Sequence, residues 1–269
     1  MLIDDPLARD PLPLQGRSVV VTGVSRRAAI GFATACRLAA FGASVCCHHY
    51  SPHDNDQPWG GDDIDAVIEG VRAHLVGDAT VADVHADLAD PAGPGRVLGA
   101  AVEAFGHVDA LVANQALSGS DGTLAQVTAA DLDRHWAVDA RASLLLAQAF
   151  AAQHGGRRQG TIVFLTSGQG LGPMPGEVAY AAAKAVLAGI TVTLAEELAT
   201  QHIRVNTVNP GPVDTGYFTS ELREALAQRF PFGRVGEPDD AARLIAWLVS
   251  DEAAWITGQV IDSEGGFRR

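Results

Sequence analysis

Cysteine is scarce: Cys36, Cys46 and Cys47 are the only three in 269 residues. Two are sequence neighbours, so they form no disulfide framework; reduced thiols and a cytoplasmic setting are the simplest expectation. Basic residues are the minority, 19 Lys and Arg against 32 Asp and Glu, for a net charge of −13. A phosphate-backbone partner needs a basic face, so nucleic acid is not an expected partner. No apolar run is read as reaching the ~18–20 residues of a membrane span. The opening MLIDDPLARDPLPLQG is acidic and proline-punctuated and lacks the apolar centre of a signal peptide. Neither a membrane nor a secreted context is expected. Internal repeats and dividing linkers are also missing. Ser51–Asp63 is polar and long for a connection; its His53, Asp54 and Asp56 lack metal-ligand spacing, so a solvated loop and no metal are expected.

The hydrophobic share, 47%, is ample for the core of one α/β domain. Residues 1–16, with Pro6, Pro11 and Pro13, read as an irregular leader. Short β-branched runs then alternate with helical stretches. Strands are expected at Ser18–Thr22, Ala43–His49, Thr80–Leu88, Val108–Ala113, Thr161–Thr166, Ile203–Asn209 and Ile256–Ile261. Helices are expected from Ala29 to a stop at Gly42, and at Ile64–Leu75, Arg96–Phe105, Ala129–Gln153, from the loop before Tyr180 to Ala199, and at Asp239–Ser250. Such alternation implies a single α/β domain with a parallel sheet and helices on both faces.

The chemistry concentrates in Thr161–Val186, TIVFLTSGQGLGPMPGEVAYAAAKAV. A buried strand leads through a Gly/Pro-rich loop into an alanine-rich helix carrying Tyr180 and Lys184. Four residues apart, those side chains share a helix face, with β-carbons roughly 5–6 Å apart. An ammonium beside a phenol favours the phenolate, so the Tyr180 pKa is expected to fall from about 10 toward the working range. Ser167, at the strand's end, can aim its hydroxyl at the same point. Together they offer a donor pair for a carbonyl oxygen and a proton for the alkoxide formed when hydride arrives. Near the N-terminus, strand, Gly-containing turn and helix follow in the order that makes a dinucleotide fingerprint credible.

Ser167, Tyr180 and Lys184, the turn at Gly23 and Asn209-Pro210-Gly211 together resemble the short-chain dehydrogenase/reductase family, over about Gly16 to Gly266. The SGQ…GPMPGE-x-AY and FPFGR-x-GEP stretches are similar to its 3-oxoacyl-reductase-like branch. The resemblance implies a doubly wound (Rossmann) sheet of about seven strands, with cofactor across the carboxyl ends of the first and fourth. It implies Tyr180 as acid/base, Ser167 positioning the substrate oxygen, and Lys184 lowering the Tyr pKa and binding the nicotinamide ribose. Cofactor contacts are expected from Gly23, Ser25, Arg26, Arg27 and Ile30 on the turn, and from His49 at the second strand's end. Asp87, Leu88 and Asn114 are further expected contacts, with Pro210, Gly211, Val213 and Thr215 from the loop at the nicotinamide carboxamide. An acid favouring NAD is missing at His49, and Arg26 and Arg27 suit a 2′-phosphate, so NADP(H) is favoured over NAD(H).

The resemblance has gaps. Ala29 replaces the middle glycine of a turn two residues longer than usual, only Asn114 survives of an Asn-Asn-Ala-Gly run, and Asp139 stands where an Asn is usual. If Asp139 faces Lys184, a carboxylate joins the catalytic set and can draw the ammonium from Tyr180; salt-bridging to Arg141 is the other arrangement. Tyr217–Arg229 reads as a short helical lid (216–231 in all). Gln169, Met174, Glu177, Tyr217 and Phe218 are expected to line the substrate pocket. A ketoreductase acting on a small carbonyl or alcohol, assembled as a homotetramer or homodimer, fits best. A dehydratase, cyclase or epimerase on the same scaffold, and a non-catalytic cofactor-binding protein, remain alternatives.

Overall fold

In the computed structural model of the chain, residues 10–119, 121–156 and 158–269 are described. Seven strands form one parallel sheet in the order β3-β2-β1-β4-β5-β6-β7. They are β1 (Ser18–Val21), β2 (Ser44–His49), β3 (Val81–His85), β4 (Ala110–Ala113), β5 (Gly160–Leu165), β6 (Ile203–Asn209) and β7 (Val260–Asp262). The helices are α1 (Ile30–Ala40), α2 (Ser51–Asn55), α3 (Ile64–Arg72), α4 (Gly93–Phe105), α5 (Ala129–His135), α6 (Ala142–His154), α7 (Val178–Leu198), α8 (Ser220–Ala227) and α9 (Pro238–Val249).

The central strands are apolar on both faces because both are covered. Val19 and Val21 of β1 with Val163 and Leu165 of β5 join α1, α3 and α9 in one core. Val20, Ile162 and Phe164 join α4, α6 and α7 in the other. Strands are added outward in one direction from β1 to β3 and in the other from β4 to β7, and this switch between the parallel neighbours β1 and β4 opens a crevice at their carboxyl ends. This is the expected doubly wound sheet.

Four expectations need correcting. Residues 1–9 of the expected leader lie outside the described residues, but Leu14 is fully buried and its N–H donates to the Phe41 carbonyl at 3.0 Å. An apolar anchor thus ties that segment to the end of α1. The expected loop 51–63 begins with helix α2, and its residues wall the cleft described below. The last strand is only Val260–Asp262, because Gly258 turns the chain at φ 71° first. Finally, Val178–Gln201, 24 residues, is long and apolar enough to cross a membrane by length and composition. Here it packs along β6 and carries Tyr180 and Lys184, which gives its apolar character a place within the fold.

Candidate active site

The crevice continues into a cleft of about 890 Å³. Gly23 turns the chain out of β1 with φ 70°, and Gly31 lets α1 lie directly on that turn. Asn114 fixes the other side, its amide donating to the Thr22 and Gly23 carbonyls at 2.9 and 3.3 Å. The α1 N-terminus opens on the cleft: Ala29 caps it with extended backbone and no side-chain bond, no acid sits in its first turn, and Ala29 and Ile30 line the wall. Uncapped amides and the positive end of the helix dipole suit a pyrophosphate. Gly23, Ser25, Arg26, Ile30, Asp87, Leu88, Asn114 and Thr215 all line the cleft, so the residues present fit a dinucleotide. The longer turn accommodates the Ala29 methyl by folding back, with Ala29 N–H donating to the Arg26 carbonyl.

Five expected contacts, Arg27, His49, Pro210, Gly211 and Val213, do not line this cleft. His49 is turned to the opposite face of β2, its Nε2 3.1 Å from Asp83, and is replaced in the cleft by its neighbours His48 and Tyr50. Strand alternation explains the swap. Arg27 is directed toward α3, near Gly70, and does not line the cleft. Arg26 does, its guanidinium 5.5 Å from the Trp59 ring centroid. Pro210 and Val213 line neither pocket, Val213 being buried and paired with Gly236, while Gly211 and Pro212 face the second pocket.

That second pocket lies on the other side of Tyr217, which lines both. Ser167, Tyr180, Met174, Glu177, Tyr217 and Phe218 meet there, as do His135, Arg229 and Phe267. Gln169 does not; its amide turns inward and donates to the Thr166 hydroxyl at 3.0 Å. Asp121 holds the start of α7, accepting from Ala179 and Tyr180 N–H at 2.9 and 2.8 Å. A carboxylate from a distant loop thus positions Tyr180, with no sequence signal beyond its charge.

Lys184 is the chain's single lysine and is almost fully buried. Its ammonium donates to the Leu165 and Gln115 carbonyls at 3.1 and 3.3 Å, and stands 5.7 Å from the Tyr180 ring centroid. The expected fall in the Tyr180 pKa is not found. Burial pushes the phenol up, the Asp139 carboxylate adds to the rise, and the Ser167 hydroxyl opposes it only in part. Burial also lowers the Lys184 pKa, with Asp139 opposing. The ammonium donates to two carbonyls and makes no hydrogen bond to the phenol.

Asp139 is fully buried in a π-helical segment (Trp136–Arg141) that joins α5 to α6. One oxygen accepts from Leu117 N–H at 2.8 Å and the other lies 3.1 Å from His135 Nδ1. It contacts neither Lys184 nor Arg141; Arg141 instead donates to the Ala89 carbonyl. The partner missed from sequence is His135, although its spacing of four residues on one helix was visible. The thiols take no part: burial pushes Cys36 up to about 11 and Cys46 up to about 12.

Residues 23–268 match the family model described as enoyl-(acyl carrier protein) reductase. The chain is 40% identical to the uncharacterized oxidoreductase YjdA of Bacillus subtilis, over 95% of this chain and 98% of that protein. It is 32% identical to a 3-oxoacyl-[acyl-carrier-protein] reductase of Thermotoga maritima, over 94% of this chain and 98% of that one. Among solved structures, a short-chain dehydrogenase of Burkholderia cenocepacia in complex with NADP superposes with a TM-score of 0.82 at 34% identity, covering 94% of this chain and 98% of that one. Fold, cleft, Ser167–Tyr180–Lys184 geometry and these likenesses together make the chain a member of the short-chain dehydrogenase/reductase family of oxidoreductases.

Proposed function

We propose that the protein is an NADP(H)-dependent ketoreductase that interconverts a small carbonyl compound and its alcohol. The observation carrying this reading is that Ser167 and Tyr180 meet in the pocket adjoining the dinucleotide-fitting cleft. A bound nicotinamide would supply or accept hydride. Ser167 donates to the substrate oxygen and fixes its position. Tyr180 gives its phenolic proton to that oxygen during reduction and takes it back during oxidation. Lys184 holds the floor beneath them by tying the ends of β4 and β5, through Gln115 and Leu165. Turnover of a ketone and aldehyde panel with NADPH and NADH tests this reading; cofactor binding without turnover would favour the non-catalytic alternative.

The NADP preference rests on Arg26 and on the lack of a carboxylate at the His49 position. Among the described residues Arg26 has no carboxylate partner; its stacking on Trp59 leaves the guanidinium edge for a phosphate. Asp54 and Asp56 line the same cleft and oppose an added negative charge, so the preference depends on this one arginine. Arg26→Ala is expected to weaken NADPH binding by about 1.5–3 kcal/mol, the range for a charge-assisted bond. NADH binding and the Arg27→Ala variant should change little. Fluorescence titration of both cofactors reads this, and an unchanged NADPH/NADH ratio in Arg26→Ala would overturn the preference.

We also infer a homo-oligomer, a tetramer or dimer, built on α6 and α7. Both are alanine-rich, allowing close helix approach, and Val192 on α7 is 64% exposed. Helices apolar on more than the core-facing side gain from a second partner. Light scattering is expected to give at least twice the 28.0 kDa chain mass; a monomer in dilute solution would remove this assembly.

A further inference from the structure

A buried histidine–carboxylate pair with no role in the steps above lies against Tyr180. His135 is 1% exposed and Asp139 fully buried, one helical turn apart. His135 Nδ1 is 3.1 Å from Asp139 Oδ2, and Nε2 is 3.3 Å from the Gly119 carbonyl oxygen. The imidazole ring stands edge-on to the Tyr180 ring, centroids 6.1 Å apart and planes at 81°. A neutral imidazole has one N–H, so beside a carboxylate and a carbonyl it must set one lone pair against an oxygen. One extra proton satisfies both contacts. Imidazole is the stronger base of the two groups, and Asp139 already accepts from Leu117 N–H, so that proton belongs on the ring.

We propose that His135 and Asp139 form a buried imidazolium–carboxylate pair that acts as a positioning element of the catalytic centre, cancelling the Asp139 charge beside Tyr180 until His135 releases its proton. Such a role belongs to this chain's own residues, because it needs both a carboxylate at 139 and a histidine one turn earlier. It extends the ketoreductase reading to the control of its acid/base group.

The surrounding groups set the sign. On its own helix, His135 faces Asp139. From the loop before α5, Asp121 adds a second carboxylate, and the Gly119 carbonyl accepts from the ring. From α7 come the neutral phenol of Tyr180 and the ammonium of Lys184, which feels Asp139 directly. Burial by itself lowers the His135 pKa; the hydrogen bond and charge of Asp139, the Gly119 carbonyl and Asp121 outweigh it, and the net direction is upward. Below that pKa the pair is neutral. Above it the proton passes to solvent, the carboxylate stands alone, and phenolate formation at Tyr180 becomes harder. Oxidation, which needs Tyr180 as a base, therefore feels the state of His135; reduction, which needs the phenol, is protected at high pH.

Two measurements decide the proposal. In the full-length protein labelled with ¹⁵N-histidine and free of cofactor, the His135 ring should keep both nitrogens protonated to a higher pH than in the unfolded chain. In Asp139→Asn the ring should lose that proton about one pH unit or more lower, the reach of a neighbouring carboxylate. A His135 ring that loses its proton at or below the pH at which it does so in the unfolded chain overturns the pair, whatever the enzyme's activity. The second measurement is the pH profile of oxidative kcat/KM with a secondary alcohol from the turnover panel. His135→Gln keeps a donor for Asp139 but no charge, so the acidic limb should move up by about one unit. Adding Asp139→Asn to His135→Gln removes the stranded charge and should bring the limb back. A merely structural role predicts the reverse, a double variant worse than the single with its limb unmoved, and that result overturns the coupling. Should His135→Gln fail to fold, His135→Asn takes its place, and the ring titration needs only wild type and Asp139→Asn. An imidazolium at His135 without turnover of any carbonyl or alcohol would sink the ketoreductase reading and leave the pair standing.

Discussion

Tyr180→Phe is expected to lower kcat by about 10²–10⁴-fold, the usual worth of a positioned general acid. The substitution removes one oxygen and keeps the ring that packs against His135 and Lys184. No neighbour can replace the proton. Ser167 is a neutral hydroxyl suited to donating a hydrogen bond, and Lys184 is committed to the Leu165 and Gln115 carbonyls. The thermal midpoint and cofactor affinity should stay close to wild type, because the phenolic oxygen belongs to the pocket next to the cofactor cleft. Steady-state kinetics beside a cofactor titration separates these quantities. A variant retaining more than about a tenth of wild-type kcat would place the acid elsewhere.

Gly31→Ala should damage the protein at the other end of the crevice. A β-carbon at Gly31 would lie 2.3 Å from the Gly23 carbonyl oxygen and 3.0 Å from its carbon. The obstacle is backbone, so no side-chain rotation relieves it. Helix α1 must move off the turn, at a cost of about 1–3 kcal/mol typical of overpacking. The same movement shifts the helix N-terminus that faces the cleft, so cofactor affinity should drop together with the thermal midpoint. Gly99→Ala is the control: it sits in α4 with nothing within 4 Å of its would-be β-carbon. Helical Gly-to-Ala replacement there should stabilise by about 0.5–1 kcal/mol. Equal midpoints for the two variants would contradict the close approach of α1 to its turn.

The parts legible in the sequence are those where local chemistry and tertiary role agree. In Gly160–Leu165 a continuous apolar run is a central strand because both faces are covered. Tyr180 and Lys184 lie on one helix side because helical periodicity alone requires it. Gly23 marks its turn because only glycine takes that backbone cheaply. What escaped depends on distant partners. Residues 51–63 carry no apolar period, and their position over the cleft comes from contacts such as Trp59 on Tyr217, ring centroids 5.5 Å apart. The direction of the Tyr180 pKa turns on burial of the phenol and on the Asp139 carboxylate, neither of which the four-residue spacing of Tyr180 and Lys184 reports. His49 and His48 differ only in the face of β2 they occupy, and the pleat decides which lines the cleft. For Asp139 the sequence offers Lys184 and Arg141 as alternative partners; in the fold its two oxygens meet the Leu117 N–H at 2.8 Å and His135 Nδ1 at 3.1 Å, and only tertiary packing brings Leu117 there.

The composition of the cationic residues has a consequence for protein chemistry. With arginine in every cationic position except 184, the protein offers lysine-directed reagents a single ε-amino group, and that one is almost fully buried beneath the catalytic pocket. Acylating agents, reductive methylation and amine-coupled supports therefore have only the α-amino group as an alternative target. Whatever reacts at Lys184 reports on how often the floor of the site opens. A ¹³C-methyl label placed there would give one resonance, so opening and closing could be followed without background.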